Sequence, residues 1–399
     1  MTKRPYFVHL DLLRVLFIFV VLLHHWIEKN PFALLPFGST IAFVLSGFLL
    51  TTPLLEGKKD MPSYWKTTFK FLARRLLRTL PIYLLLLSVY LFRNIQNFRD
   101  YSVYFLTFTQ NYLIAYNPTN SLEYVQTWSL AVQEQFYIFL PIVIYLLPYK
   151  YLRTLFFTFS AAGLLFRIWY FYLGLPFTYN HYTTECCIDC FGIGALISYY
   201  HYEHPDKLKK LLSNKLLFGV LILLYACSTF GYFNHVVNSG DTGAAILYNN
   251  LYRITERTFV SLLSVWFIGW GIYFPSKGLD KLSSNSIISY LSKISYGIYV
   301  YHFFAAAAIL KILTYFFNLT PKNIQFSWWV ICLNFILTIL LSTVSYKIIE
   351  KPILQLKDKY FGDHGRKKPA IGRKRTNLLQ PNEPVCETFK FYGSSKVFN

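Results

Sequence analysis

Stretches such as Leu10 to Trp26, Thr40 to Leu55 and Leu80 to Phe92 run almost without charge and are filled with Leu, Phe, Val and Tyr. An apolar run of roughly 20 residues, rising about 1.5 Å per residue, crosses a hydrocarbon core about 30 Å thick as a helix. Inside that core only structures that satisfy their own backbone hydrogen bonds are viable. Similar runs recur as far as Pro352, and ten spans are expected, at about 8–27, 38–56, 79–97, 128–147, 153–173, 185–201, 214–232, 256–274, 294–317 and 327–349. The aromatic segment 101–116 is interrupted by Thr and Gln and reads as interfacial or re-entrant. The expected fold class is therefore all-α, a polytopic transmembrane bundle. Composition agrees: 15% of residues are charged, against about a quarter in soluble domains, which excludes a water-soluble enzyme of this size.

The charge is one-sided, with a formal net value of +20. If the N-terminus is cytoplasmic, the cytoplasmic segments hold 31 of the 39 Lys and Arg residues. The opposite loops hold six: Lys29, Arg93, Arg99, Arg253, Arg257 and Lys322. The positive-inside rule then predicts an even number of spans with both termini cytoplasmic. Most of the charge is topological, so membrane lipid is the expected partner and nucleic acid is not. The first run follows Lys3 and Arg4, but its flank His24-His25-Trp26-Ile27-Glu28 lacks the small-residue pattern of a signal-peptide cleavage site and is read as a span. Two regions result, a membrane domain over 1–352 and a basic, disordered cytoplasmic tail over 353–399 that touches anionic lipid. Cys186, Cys187 and Cys190 begin the sixth span; three thiols with no nearby fourth ligand read as small apolar residues, and no metal is expected.

Burying polar groups in a bilayer is costly unless they are paired or face a cavity, so function is sought there. At 100° per residue, Arg14 and His25 share one face of the first span, Asp11 lies about 60° to one side of Arg14, and His24 points elsewhere. The eleven residues between Arg14 and His25 separate them by about 16 Å along the axis. One helix face thus carries a cation at its cytoplasmic mouth and a proton acceptor deep inside. The same pair is equally compatible with a topological flank and a satisfied bundle histidine. Arg74, Arg75 and Arg78 have the spacing for guanidinium groups to converge, either on a phosphate or as a membrane anchor. Ser295, Tyr299 and His302 form a stripe on the ninth span. Gly47, in Ser46-Gly47-Phe48, lets a backbone or a ligand approach closely. Glu134, in the fourth span, needs an Arg or His partner from another span.

Taken in order, LDLLR (10–14) with His25, FVLSGFLL (43–50), RRLLRTLPIY (74–83), WSLAVQEQFYIFLP (128–141), Asp189 to Gly194, ISYGIYVYH (294–302) and IIEKP (348–352) resemble the acyltransferase family 3 membrane proteins. These are polytopic enzymes that acylate, most often O-acetylate, cell-envelope polysaccharides. The resemblance implies functional roles for Arg14 and His25, for Arg75 and Arg78, and for Ser46 and Gly47. The family's WSLxxE pattern has Glu where this chain has Gln133, with Glu134 adjacent, which puts an essential acid there in doubt. Many relatives carry a fused extracytoplasmic esterase-like domain without counterpart here, so the resemblance implies a chain that acts alone or passes the acyl group to a separate extracytoplasmic transferase.

The function expected is acyl transfer, with acetyl the expected group, from cytoplasmic acyl-CoA to a hydroxyl of an envelope saccharide or lipid-linked glycan, in the bacterial cytoplasmic membrane. Arg14, His25, Tyr299 and His302 are expected at the reaction centre. Arg74, Arg75, Arg78, Ser46 and Gly47 are expected around the donor, with Glu350 a weaker candidate. Arginines at the cytoplasmic mouth hold the phosphates of the donor, and His25 serves as general base or forms an acyl-histidine. Tyr112, Tyr116, Tyr179 and Tyr182, near the outer openings, are able to stack on sugar rings. Buried His, Arg and Glu also fit a secondary transporter, but that reading expects paired broken helices in two halves, and Pro141 has no equivalent five spans later.

Overall fold

The computed structural model describes residues 8–27, 37–117, 124–232, 243–274, 276–319 and 326–355. Among these, the regular elements are all helical. They are α1 (Val8–Trp26), α2 (Phe37–Lys59), α3 (Tyr64–Arg93), the short α4 (Phe98–Leu106) and α5 (Gln110–Tyr116), α6 (Trp128–Leu146), α7 (Leu152–Tyr172), the short α8 (Phe177–Tyr182), α9 (Ile188–Glu203), α10 (Pro205–Leu212), α11 (Lys215–Tyr232), α12 (Gly243–Tyr273), α13 (Lys277–Ser283), α14 (Ser286–Phe317) and α15 (Trp328–Ser345). A π-helical turn, Tyr346–Glu350, follows α15. Helix ends carry local signals. Asn285 caps α14 by accepting from the Ile287 amide at 2.8 Å, and α3 and α14 stop at Asn94 and Asn318 in the left-handed region.

Each of the ten expected spans falls on a helix, although eight helices among the described residues are long and apolar enough to cross a membrane, or nine if the bent pair around α12 and α13 counts. The differences lie at α9 and α12. Helix α9 has only 16 residues, too few to span alone, while α12 runs back to Gly243, well before the expected start at 256. The basic segment before the third span likewise continues α3 without a break from Tyr64. The segment 101–116 forms α4 and α5 around a turn at Thr107–Thr109, and its polar residues are tied into the bundle. Gln110 donates to the Tyr83 hydroxyl and the Thr127 carbonyl at 3.1 Å, and Asn111 donates to the Tyr182 carbonyl at 3.1 Å. The tail beyond 355 lies outside the described residues.

Helix α9 sits at the centre because its glycines remove the bulk that would keep other backbones away. A Cβ on Gly194 would lie 2.1 Å from the Val44 carbonyl oxygen of α2, and one on Gly192 would lie 2.5 Å from the Ser160 amide of α7. Gly47 of α2 meets α9 in the same way, its added Cβ falling 2.4 Å from the Phe191 carbonyl. Of the two uses open for Gly47, the structure takes the backbone one. Phe43, Phe136 and Phe191 stack beside these contacts, with centroids 4.9 Å and 4.1 Å apart. Close backbone approach of this kind drives helix association where lipid is as apolar as the side chains.

The tightness of this seam is testable. Gly194→Val should force α2 from α9 and cost about 1–3 kcal/mol, as overpacking does. It should be read as a lowered Tm of the detergent-solubilised protein, with Gly219→Val as the control, since nothing lies within 4 Å of an added Cβ there.

Candidate functional site

Two cavities lie one behind the other along α1. The first is lined by Arg14, Ser46, Arg75, Arg78, Gln133 and Tyr296, with Tyr299 and Ser39 at its inner end. The second is lined by His24, His25, Trp128, His181, Arg253 and Glu256, with further aromatic side chains. Val21, Ser39 and Tyr299 line both. The first is thus cationic and the second carries imidazoles, with a shared waist.

In the cationic cavity, Arg14 from α1 meets Arg75 and Arg78 from α3, close enough that their charges act on one another. Like charges converge only where something holds them. Asp11 accepts from Arg14 at 2.8 Å and from the Ser292 hydroxyl at 2.9 Å, which anchors α1 to α14. Arg75 lies flat on the Tyr137 ring, 3.8 Å from its centroid. Glu134 is buried near Arg75, close enough for their charges to act on one another, while the Thr79 hydroxyl donates to the Arg75 carbonyl at 3.3 Å. Glu350, buried in the π-helical turn with no hydrogen-bond partner among the described residues, acts on Arg78. Gln133 faces the cavity and donates to the Ser46 hydroxyl. The carboxamide and the adjacent Glu134 therefore point to different neighbours. Arg74 and Gly47 do not line this cavity.

At the waist, the Tyr299 hydroxyl donates to the Gln126 carbonyl at 2.5 Å and lies 2.6 Å from the Ser129 hydroxyl, which therefore donates to it. One turn on, His302 is fully buried, and its Nδ1 lies 2.6 Å from the Tyr299 carbonyl. A carbonyl only accepts, so Nδ1 carries the proton and a neutral ring keeps its lone pair on Nε2. That Nε2 has no partner among the described residues, and the His302 ring stands 5.3 Å from the ring of His25. His25 itself is exposed to the second cavity. His24 was expected on another face; its ring is 5.1 Å from that of His25, and the cavity is wide enough for both to line it.

A buried charge network supports the imidazole cavity. Arg167 of α7, 1% exposed, pairs with Asp189 of α9 at 2.6 Å and donates to the Ile254 carbonyl and Thr258 hydroxyl of α12. Arg257, 4% exposed, donates to the His181 carbonyl at 3.0 Å and the Cys187 sulfur at 2.9 Å. Arg253 and Arg257 were counted as loop charges; both stand on α12, Arg253 because the helix begins earlier than the apolar run and Arg257 because it lies in the first turn of the expected span. Glu256 lies in that same first turn, where polarity at the edge of a span reads as an exposed flank although the side chain is buried. Extending the helical period backward through Arg253-Ile254-Thr255-Glu256-Arg257 is the signal that would have found them.

Residues 7–347 match the family model described as an acyltransferase domain, and the chain belongs to that family, acyltransferase family 3. It is similar to a candidate O-acetyltransferase of Staphylococcus aureus (strain COL), 25% identical over 382 residues that cover 88% of this chain and 58% of the relative. It is also similar to the O-acetyltransferase OatA of Staphylococcus aureus (strain MRSA252), 24% identical over 410 residues, covering 94% of this chain and 61% of the relative. The chain spans about three fifths of the length of these curated relatives. No solved structure matches it.

The Arg167–Asp189 pair should behave as structure. Arg167→Met leaves a carboxylate buried without its partner and should cost about 3–5 kcal/mol, whereas Arg167→Met with Asp189→Leu should recover much of it; Tm values of the purified variants check this.

Proposed function

We propose that this chain is an O-acyltransferase that moves an acyl group, expected to be acetyl, from cytoplasmic acyl-CoA to a hydroxyl of an envelope saccharide, within the bacterial cytoplasmic membrane. The observation that carries the reading is the pair of cavities meeting at Val21, Ser39 and Tyr299, guanidinium groups in one and imidazoles in the other. A donor with phosphates at one end and a thioester at the other has the same polarity. Family membership and the names of the two relatives support the reaction class.

In this reading Arg14, Arg75 and Arg78 receive the donor's phosphates, since guanidinium groups bind such oxygens bidentately. The pantetheine arm lies along α1 toward the waist and brings the thioester carbonyl to His25. His25 takes the proton of the acceptor hydroxyl, the oxygen attacks the carbonyl carbon, the carbon–sulfur bond breaks, and the departing thiolate takes up a proton to leave as CoA. The acyl-histidine route uses the same geometry: an imidazole nitrogen displaces the thiolate first, and the acceptor hydroxyl then attacks the acyl-imidazole. His302 acts as a positioning residue. Its Nδ1 is committed to the Tyr299 carbonyl, which leaves Nε2 as the accepting nitrogen of a ring 5.3 Å from that of His25.

Two variant series test this. His25→Ala should abolish acyl transfer from labelled acetyl-CoA in membranes while the protein still inserts and keeps its Tm; residual transfer near the parent rate would refute the assignment. Arg75→Ala and Arg78→Ala should each raise the apparent KM for acyl-CoA roughly tenfold or more, the worth of one charge-assisted hydrogen bond, with a much smaller change in the KM for the acceptor.

A further inference from the structure

The imidazole cavity contains a carboxylate that the chemistry above does not use. Glu256 of α12 is 7% exposed, lines the cavity with His24 and His25, and forms no hydrogen bond or ion pair with the described residues. The charged groups that face it do not neutralise it by contact. Arg253, one turn earlier on α12, is stacked on the Phe177 ring at 4.3 Å. Arg257 is spent on carbonyl groups and the Cys187 sulfur, and Arg167 on Asp189. A buried carboxylate without partners is costly unless a ligand supplies the donors. Across the same cavity stand Trp128 and Tyr182, with ring centroids 5.4 Å apart, and His181, 5.1 Å from Trp128.

We propose that Glu256 is the acceptor-recognition residue of this cavity, its carboxylate receiving hydrogen bonds from two hydroxyls of a polyhydroxylated ring whose apolar face rests on Trp128 and Tyr182. This rests on the acyltransferase reading and adds to it the residue that recognises the saccharide acceptor, which is held so that a further hydroxyl points to His25. A carboxylate is acceptor-only when ionised and takes two donors at once, and an aromatic wall gives the ring its other face. A simple alcohol offers one hydroxyl and no second contact. Sites built on hydrogen bonds to hydroxyls reject analogues that lack them far more strongly than apolar pockets discriminate by size.

The test uses the full chain reconstituted in proteoliposomes, with labelled acetyl-CoA as donor and methyl glucoside, N-acetylglucosamine and butanol as acceptors. Glu256→Ala should raise the apparent KM for the two sugars at least tenfold and leave that for butanol and for acetyl-CoA within twofold; Glu256→Gln, which keeps one accepting oxygen, should fall between. Equal loss on sugars and butanol, or an unchanged sugar KM, overturns the assignment. Saturation-transfer NMR of sugar binding separates this from the acyltransferase reading. Binding should persist in His25→Ala and disappear in Glu256→Ala, and a parent protein that binds neither sugar, or a Glu256→Ala protein that binds them as the parent does, refutes the role of Glu256 whether or not acyl transfer is observed.

Discussion

The buried ion pair between Arg167 and Asp189 is the interaction on which the rest of the bundle depends. Neither group has water to turn to, so the guanidinium must be matched donor by donor, and it draws on α7, α9, α12 and the turn at Cys186 to do so. That requirement fixes where α12 lies, and with it Arg253, Glu256 and Arg257. The glycine contacts of α9 work in the same direction. They allow α2 to approach until Ser46 reaches Gln133, which shapes the wall of the cationic cavity.

The arrangement explains why the cavities differ in chemistry although they share a helix. Arg14 and His25 sit on one face of α1 separated by three turns, so a single rigid element determines both environments. At one end Asp11 and Ser292 hold the guanidinium. At the other, His302 is held in one tautomer by the Tyr299 carbonyl, and the same tyrosine forms the waist. Cationic end, waist and imidazole end are therefore mechanically linked through α1 and α14.

Much of this was legible in the sequence because helical geometry is simple. Apolar runs located the helices, and 100° per residue put Arg14 and His25 on one face. The proximity of Arg14 to Arg75 and Arg78 was not, because side chains on separate helices have no fixed relation in sequence; the resemblance to a family supplied it. Gly47 was read with two uses open, and only packing distinguished them. Arg253 was misread because a hydropathy pattern marks where a helix is apolar and not where it begins, and Glu256 and Arg257 because they stand at the edge of an expected span. A buried charged turn and an exposed loop look alike when polarity is the only guide. Glu134 was the opposite case: its need for a neighbouring cation was clear from burial alone, and Arg75 is the charge that acts on it.

Tyr299 has a consequence for the membrane around it. An open, water-filled passage through a bilayer-spanning bundle would short-circuit the ion gradients that a membrane maintains. The Tyr299 phenol lines both cavities, and its hydroxyl is tethered twice, to the Gln126 carbonyl and to Ser129. A ring held at two points is a stiff wall at that junction, in the way a bushing lines the opening a shaft passes through.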